Sequence, residues 1–69
     1  MDFVIEADGK LLPIEVKSTA RPRISDAAHL RRFRADYGKQ ARAGLLLHGG
    51  STIEWLAPDG LAAPWWVVL

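Results

Sequence analysis

The 69-residue sequence contains no cysteine, which excludes disulfide bonds, zinc sites built from thiolates and catalysis by a thiol. It lacks the run of roughly 18 apolar residues that a membrane-spanning helix needs, and it shows no signal-peptide pattern. The motif G-x-x-x-x-G-K-[ST] is also absent, so no ATP-binding P-loop is predicted. With a composition that is 49% hydrophobic, these absences predict one small globular domain, residues 1–69, in the cytoplasm and away from the membrane.

The net charge is only +1, but the charges are unevenly distributed. Eight of the nine Lys and Arg residues lie between residues 17 and 42, where only Asp26 and Asp36 oppose them, so this span carries +6 (eight minus two). A basic region of this kind can attract a polyanion such as nucleic acid. It can equally be a solvated helix face next to a basic loop.

Residues 2–17, DFVIEADGKLLPIEVK, predict a β-hairpin. Asp8-Gly9 favours a two-residue turn with positive φ at both positions. With these two residues as the loop, Ala7 pairs with Lys10, and the register carried along the hairpin places Asp2 opposite Glu15. Three residues in the loop would reverse the parity and turn Asp2 away from Glu15.

The predicted pairing of Asp2 with Glu15 is unfavourable unless a cation lies between the two carboxylates. Lys17 lies two residues beyond Glu15 on the same face of the strand. Magnesium typically binds one or two carboxylates together with water and phosphate. The hairpin therefore predicts a metal site beside a lysine, although Glu-Val-Lys can also be a solvated strand face, with Asp2 a frayed terminal residue.

An aspartate that begins one strand and a Glu-x-Lys that ends the next resemble the PD-(D/E)xK nuclease superfamily. Asp2, Glu15, Val16 and Lys17 fall on its motif positions. The wording DFVIEADGKLLPIEVKS, followed by a helix and then GLLLHGG, resembles more narrowly the uncharacterised domain at the C-terminus of many AAA-type ATP-binding proteins. The superfamily core opens with a helix and a first strand that this chain lacks. The resemblance thus implies the C-terminal portion of such a domain, inactive in isolation.

The resemblance implies a metal-dependent nucleic-acid phosphodiester hydrolase, with DNA as the favoured substrate. Asp2 and Glu15 would bind Mg²⁺ or Mn²⁺, with the Val16 carbonyl as a third ligand, and Lys17 would orient the attacking water or stabilise the charge that develops on the phosphate. Four arginines are the predicted phosphate contacts: Arg21, Arg23, Arg31 and Arg32. The alternative is a non-catalytic nuclease-fold module that serves self-association, docking or DNA holding beside an ATPase.

The residues after the hairpin predict a strand–helix–strand crossover. Ser25 is the expected N-cap of a helix over residues 26–37, and Gly38 is placed to end it. The inner stripe of this helix is expected at Ala27, Leu30, Phe33, Arg34 and Tyr37. The apolar run of residues 43–48 then predicts a strand that lies parallel to the Glu15 strand.

The last third of the chain predicts an antiparallel strand over residues 52–56, a turn at residues 58–60, and a final strand or docked tail over residues 64–69. The expected fold is α/β: a mixed sheet of four to five strands with one crossover helix, a restriction-endonuclease-like partial core. One helix can cover only one face of such a sheet. We therefore expect a homodimer that covers the outer edge or the other face, with Trp65 or Trp66 partly buried by the partner.

Other candidate residues favour structural roles. His48, at the end of a strand, can be a ligand or a base but is more often structural. His29 is expected to be solvated on the helix. Trp55, Trp65 and Trp66 can stack on bases, but in so small a chain they are more often core or interface residues.

Overall fold

A computed structural model describes residues 3–68 of the chain. These residues form a five-stranded sheet, one long helix and one short helix. The elements are β1 (Phe3–Ala7), β2 (Lys10–Val16), α1 (Ala28–Tyr37), β3 (Gly44–His48), β4 (Glu54–Ala57), β5 (Gly60–Pro64) and α2 (Trp65–Val68). No helix among the described residues is long and apolar enough to cross a membrane.

The sheet is mixed, with strand order β1-β2-β3-β5-β4. Its three inner strands are parallel, while β1 and β4 pair antiparallel with their neighbours at the two edges. The predicted α/β class, the strand count and the parallel pairing of β3 with β2 are confirmed. The chain reaches β3 from β2 through α1, because two parallel neighbours need a crossover connection.

The hairpin has the predicted register. Asp8 and Gly9 have φ values of 53° and 75°, as a two-residue turn of this kind requires. Ala7 pairs with Lys10, and the ladder continues to the pairing of Phe3 with Ile14. Asp2 lies outside the described residues, so its pairing with Glu15 stays a prediction.

The helix differs from the prediction at its start. A 3₁₀ turn, Ile24–Ala27, precedes α1, and Arg23 rather than Ser25 is its N-cap. The Arg23 N–H donates to Asp26 Oδ2 at 2.8 Å, so the side chain of Asp26 bonds back to the backbone of the N-cap residue, as in a capping box. Gly38 ends the helix with a φ of 58°, as predicted.

The strand that follows β3 in space is not the one that follows it in sequence. Residues 60–64 form β5, which lies parallel to β3, and β4 is displaced to the edge, where it pairs only with β5. Of the two alternatives predicted for residues 64–69, a final strand or a docked tail, the strand is wrong, since Trp65–Val68 forms the short helix α2. A short apolar run cannot be distinguished as strand or helix by periodicity, and the small residues Ala62 and Ala63 fit the buried inner position instead.

The core lies between α1 and one face of the sheet, called here the helix face. Leu30 of α1 and Leu46 of β3 are fully buried. Glycine at position 44 allows this contact, because a Cβ added there would lie 2.7 Å from Leu30 Cδ2 and 2.9 Å from the Pro13 carbonyl oxygen. Of the predicted inner stripe, Ala27 and Leu30 are buried, whereas Tyr37 is half exposed at the end of the helix.

The other face of the sheet, called here the open face, is almost entirely apolar. By strand register, Lys10 is the only charged residue that β1, β2, β3 and β5 place on it. Its centre is buried at Ile14 and Leu47, but Phe3 on β1 remains 60% exposed. All the glutamates of the strands, Glu6, Glu15 and Glu54, have the register of the helix face.

We expect Gly44→Ala to destabilise the chain by about 1–3 kcal/mol, because the new methyl group would overpack the contact of Leu30 with Pro13. The measurement is urea unfolding followed by far-UV circular dichroism. Gly49→Ala is the matched control. A Cβ there meets only the Thr19 carbonyl oxygen, at 3.7 Å, so the change should stay within about 0.5 kcal/mol. Equal effects of the two substitutions would contradict this packing.

Candidate functional site

Glu15 is a buried carboxylate near the end of an inner strand. It is the penultimate residue of β2 and is only 5% exposed. The register of β2 with β3 sets Glu15 beside the buried Leu46 on the helix face. Burying an ionised carboxylate is unfavourable in free energy unless nearby groups stabilise its charge. The neighbours of Glu15 therefore indicate its role.

Two nitrogen-bearing side chains contact the same oxygen of Glu15. Lys17 Nζ lies 3.5 Å from Oε1, and His29 Nδ1 lies 3.2 Å from it. Because an ionised carboxylate only accepts hydrogen bonds, His29 Nδ1 is the donor of the second contact. Lys17 therefore lies on the same face as Glu15, as predicted.

The pKa of the Glu15 carboxyl is lowered from its ordinary value. Burial raises this pKa, whereas hydrogen bonding and nearby positive charge, including those of His29, lower it by more. The carboxylate is thus held ionised at neutral pH in spite of its burial. An ionised oxygen ligand next to an ammonium group suits the binding of a hard cation and of a phosphate beside it.

The remaining predicted ligands are Val16 and Asp2. Val16 ends β2 and pairs with Leu47 of β3, so its position beside Glu15 is fixed by the parallel ladder. Asp2 lies outside the described residues. The part of the chain that is described contains no group of three or more His, Cys, Asp and Glu side chains arranged to hold a metal ion.

The four predicted phosphate contacts do not form one group. Arg21 and Arg23 line a surface cleft in the loop that follows β2, together with Thr19. Arg32 shares a shallow depression with His29 on α1. These three arginines lie toward the end of the sheet that carries Glu15.

Arg31 is the exception among the predicted phosphate contacts. Its Nε atom lies 3.9 Å from Asp59 Oδ2, in the turn between β4 and β5. Arg31 and Arg32 are adjacent in sequence but point about 100° apart around the helix, so they have different neighbours. That the neighbour of Arg31 is Asp59 depends on the fold and could not be predicted from the spacing.

His48 has the structural role that was favoured for it. The side chain is buried, Nδ1 accepts a hydrogen bond from the Gly50 N–H at 2.9 Å, and Nε2 lies 3.0 Å from the Thr52 carbonyl oxygen. Both ring nitrogens therefore bond the backbone of the β3–β4 loop. The tryptophans are half exposed or more, with Trp55 at 61%, so they are not core residues of the chain.

His29 is the residue that sequence reasoning missed. It was expected to be solvated, and its side chain is 61% exposed, yet it contacts the buried Glu15. The topology of the crossover could have predicted this contact. In a strand–helix–strand crossover the first turn of the helix lies near the end of the strand that precedes it, so a polar residue there can reach the strand's last inward-facing side chain.

The sequence profile of one protein family, described as Domain of unknown function (DUF4143), matches residues 1–67. The chain belongs to this family. The match covers the hairpin, the crossover and the whole sheet, so every residue of the candidate site lies within the family's domain. No curated protein and no solved structure matches the chain.

We expect His29→Gln to raise the pKa of Glu15, because the substitution removes a charge and a hydrogen bond that favour the ionised carboxylate. A carbon-13 NMR titration of the Glu15 carboxyl measures the change. A Glu15 pKa that is lower in the folded state than in the unfolded state stabilises the fold at pH values above the unfolded-state pKa. This stabilisation is lost as the pH falls through the folded-state pKa. The variant should therefore lose its stability at a higher pH than the parent.

Arg32→Gln is the control for the titration, because Arg32 shares the His29 depression but has no contact with Glu15. It should leave the pKa of Glu15 near the parent value. A His29→Gln titration curve that coincides with the parent curve would contradict the assigned role of His29.

Proposed function

We propose that the chain is part of a metal-dependent nuclease domain of the PD-(D/E)xK type, which cleaves phosphodiester bonds in nucleic acid, with DNA favoured. The observation that carries the proposal is the buried, ionised Glu15 beside Lys17 at the end of the hairpin strand that enters the crossover. By the same resemblance, we propose that the domain is appended to an AAA-type ATPase.

Mg²⁺ or Mn²⁺ would be held by the carboxylates of Glu15 and Asp2 and by the Val16 carbonyl. The donor chemistry of Glu15 fits such an ion, because a carboxylate kept ionised in a buried position is the oxygen ligand that these cations prefer. When bound, the metal would polarise the phosphate and lower the pKa of a bound water.

The side chains of the chain itself supply the remaining functions. Lys17, 35% exposed in its side chain, can reach a phosphate that approaches Glu15 and stabilise the negative charge that develops on it. His29 is a positioning residue, since its hydrogen bond fixes the orientation of the Glu15 carboxylate. Arg21, Arg23 and Arg32 would contact neighbouring phosphates of the strand.

The test uses the full-length protein that carries this domain. Glu15→Gln should abolish Mn²⁺ binding measured by calorimetry and plasmid nicking measured on gels. Lys17→Ala should retain the metal affinity and lose nicking by about a hundredfold or more, because an ammonium group is not a metal ligand but stabilises the reacting phosphate.

Glu54→Gln is the matched control, because Glu54 is an exposed glutamate on the same face of the sheet, two strands beyond β3. It should bind Mn²⁺ and nick plasmid like the parent. Equal Mn²⁺ binding by Glu15→Gln and the parent would overturn the metal assignment, and full nicking by Lys17→Ala would overturn the role of the lysine.

The exposure of strand β1 favours a second candidate function, a non-catalytic module for self-association. All five residues of β1 are exposed, and among the described residues the strand pairs only with β2. Natural edge strands are usually protected by charged side chains, proline or a bulge, and the sequence FVIEA of β1 has the single charge of Glu6, no lysine and no proline. We therefore propose that two copies join edge to edge through β1, in a symmetric dimer that extends the sheet.

Sedimentation at about 50 µM distinguishes this dimer from a monomer, because a dimer with a Kd of about a micromolar is mostly associated at that concentration. Ile5→Lys, in β1, should weaken association about tenfold or more, because the new charge would lie in the joined edge. The control is Tyr37→Lys, which changes a similarly exposed apolar residue at the end of α1. A parent chain that sediments as a monomer, or equal effects of both substitutions, would refute the dimer.

A further inference from the structure

A basic cleft lies at the end of the sheet opposite Glu15. It has a volume of about 830 Å³ and is formed where β2 begins and where the chain leaves α1 for β3. Among the described residues, four cationic side chains and one acidic side chain line it: Lys10, Arg34, Lys39, Arg42 and Asp8. The cleft thus carries a net charge of +3 (four minus one) in a concave surface, which concentrates the positive potential.

The backbone around this cleft is fixed by hydrogen bonds between segments distant in sequence. Lys10 Nζ donates to the Lys39 carbonyl oxygen at 3.2 Å, and the Arg42 N–H donates to the Leu11 carbonyl oxygen at 2.7 Å. These bonds tie the start of β2 to the segment that enters β3. A cleft held in place before binding loses less entropy when a ligand arrives.

The charges of the cleft are only partly neutralised by the chain. Arg34 pairs with Asp59 at 3.0 Å. Within residues 3–68, the side chains of Lys39 and Arg42 form no ion pair. Apolar side chains, Ile5 and Leu12, form part of the wall between the cations, so a ligand would be partly removed from water there and its contacts with the cations would strengthen.

This cleft is separate from the candidate nuclease site. Lys10 begins β2 and Glu15 lies five residues further along it, a distance of about 17 Å along an extended strand. Of the residues proposed above to bind metal or phosphate, none of those that the structure describes lines the cleft. The charge and the concave shape of the cleft therefore indicate a ligand other than the group that binds at Glu15.

We propose that the cleft is a binding site for a polyphosphate-type anion, held by Lys39 and Arg42 and flanked by Lys10. Arginine presents parallel N–H donors that match two phosphate oxygens, and lysine supplies a compact charge that neutralises the rest. A polyphosphate group presents several such oxygens to these cations. This chemistry occurs both in a free nucleotide and in the backbone of a nucleic acid.

Isothermal calorimetry of the full-length protein with tripolyphosphate tests the site, at about 50 mM salt to limit screening. The double variant Lys39→Gln/Arg42→Gln should bind about tenfold more weakly or worse, because two charge-assisted contacts are lost. Ser51→Asp/Thr52→Asp lowers the net charge by the same two units in the exposed β3–β4 loop, outside the cleft and outside the residues assigned to metal or phosphate, and is the matched control. It should bind tripolyphosphate within about twofold of the parent.

Amide NMR shifts of the 69-residue chain locate the ligand independently. Tripolyphosphate should move the signals of Leu11 and Arg42 and leave those of Ser51 and Thr52 in place. A short oligonucleotide at equal phosphate concentration identifies the source of the phosphate. If only the oligonucleotide binds, and the Lys39→Gln/Arg42→Gln variant weakens it, the ligand is a nucleic-acid backbone.

Three results would overturn the proposal. One is equal weakening of tripolyphosphate binding by the two double variants, which would show general attraction to a basic protein. Another is a set of tripolyphosphate-induced amide NMR shifts that is centred on Arg21 and Arg23 and not on Leu11 and Arg42. The third is the absence of binding by both tripolyphosphate and oligonucleotide at about millimolar concentration, the level at which even a weak phosphate site is detected. Because no residue is shared with the metal site, these outcomes are independent of whether the domain is a nuclease.

Discussion

The two-residue turn at Asp8-Gly9 is the constraint on which the rest of the structure depends. Side chains alternate between the two faces of a strand, so a loop longer or shorter by one residue would exchange the faces of β1 relative to β2. With positive φ at both residues of the turn, Glu6 and Glu15 have the register of the helix face, whereas Phe3, Ile5, Leu12 and Ile14 have that of the open face. The placement of both glutamates on the face that α1 covers follows from this turn.

Packing of α1 against the sheet then determines what Glu15 can do. Leu30 fits over Gly44 and Pro13, which brings the first turn of the helix over the end of β2 and His29 to Glu15. The helix removes the carboxylate from water, which alone would favour its neutral form. His29 and the other positive surroundings reverse that effect. The result is a carboxylate that is buried and ionised at the same time, the combination on which the proposed metal site depends.

The basic charge that looks like one region in the sequence is divided by the fold. Because α1 runs from one end of the parallel strands to the other, Arg21, Arg23 and Arg32 lie toward the Glu15 end, whereas Lys39 and Arg42 lie beside the start of β2. Arg31 and Arg34 instead both pair with Asp59. A polyanion would thus encounter two separate positive regions, each with its own geometry.

The sequence by itself determined the features that depend on neighbours along the chain. The hairpin register follows from Asp8-Gly9, the end of α1 from Gly38, and the shared face of Glu15 and Lys17 from strand alternation. The tertiary structure alone decided the features that join distant segments. Among these are the insertion of β5 between β3 and β4, the contact of His29 with Glu15, and the cleft shared by Lys10 and Arg42. The physical reason is that turn and strand geometry act over a few residues, whereas these contacts are set by which buried surfaces fit together, and the local pattern carries no signal for that.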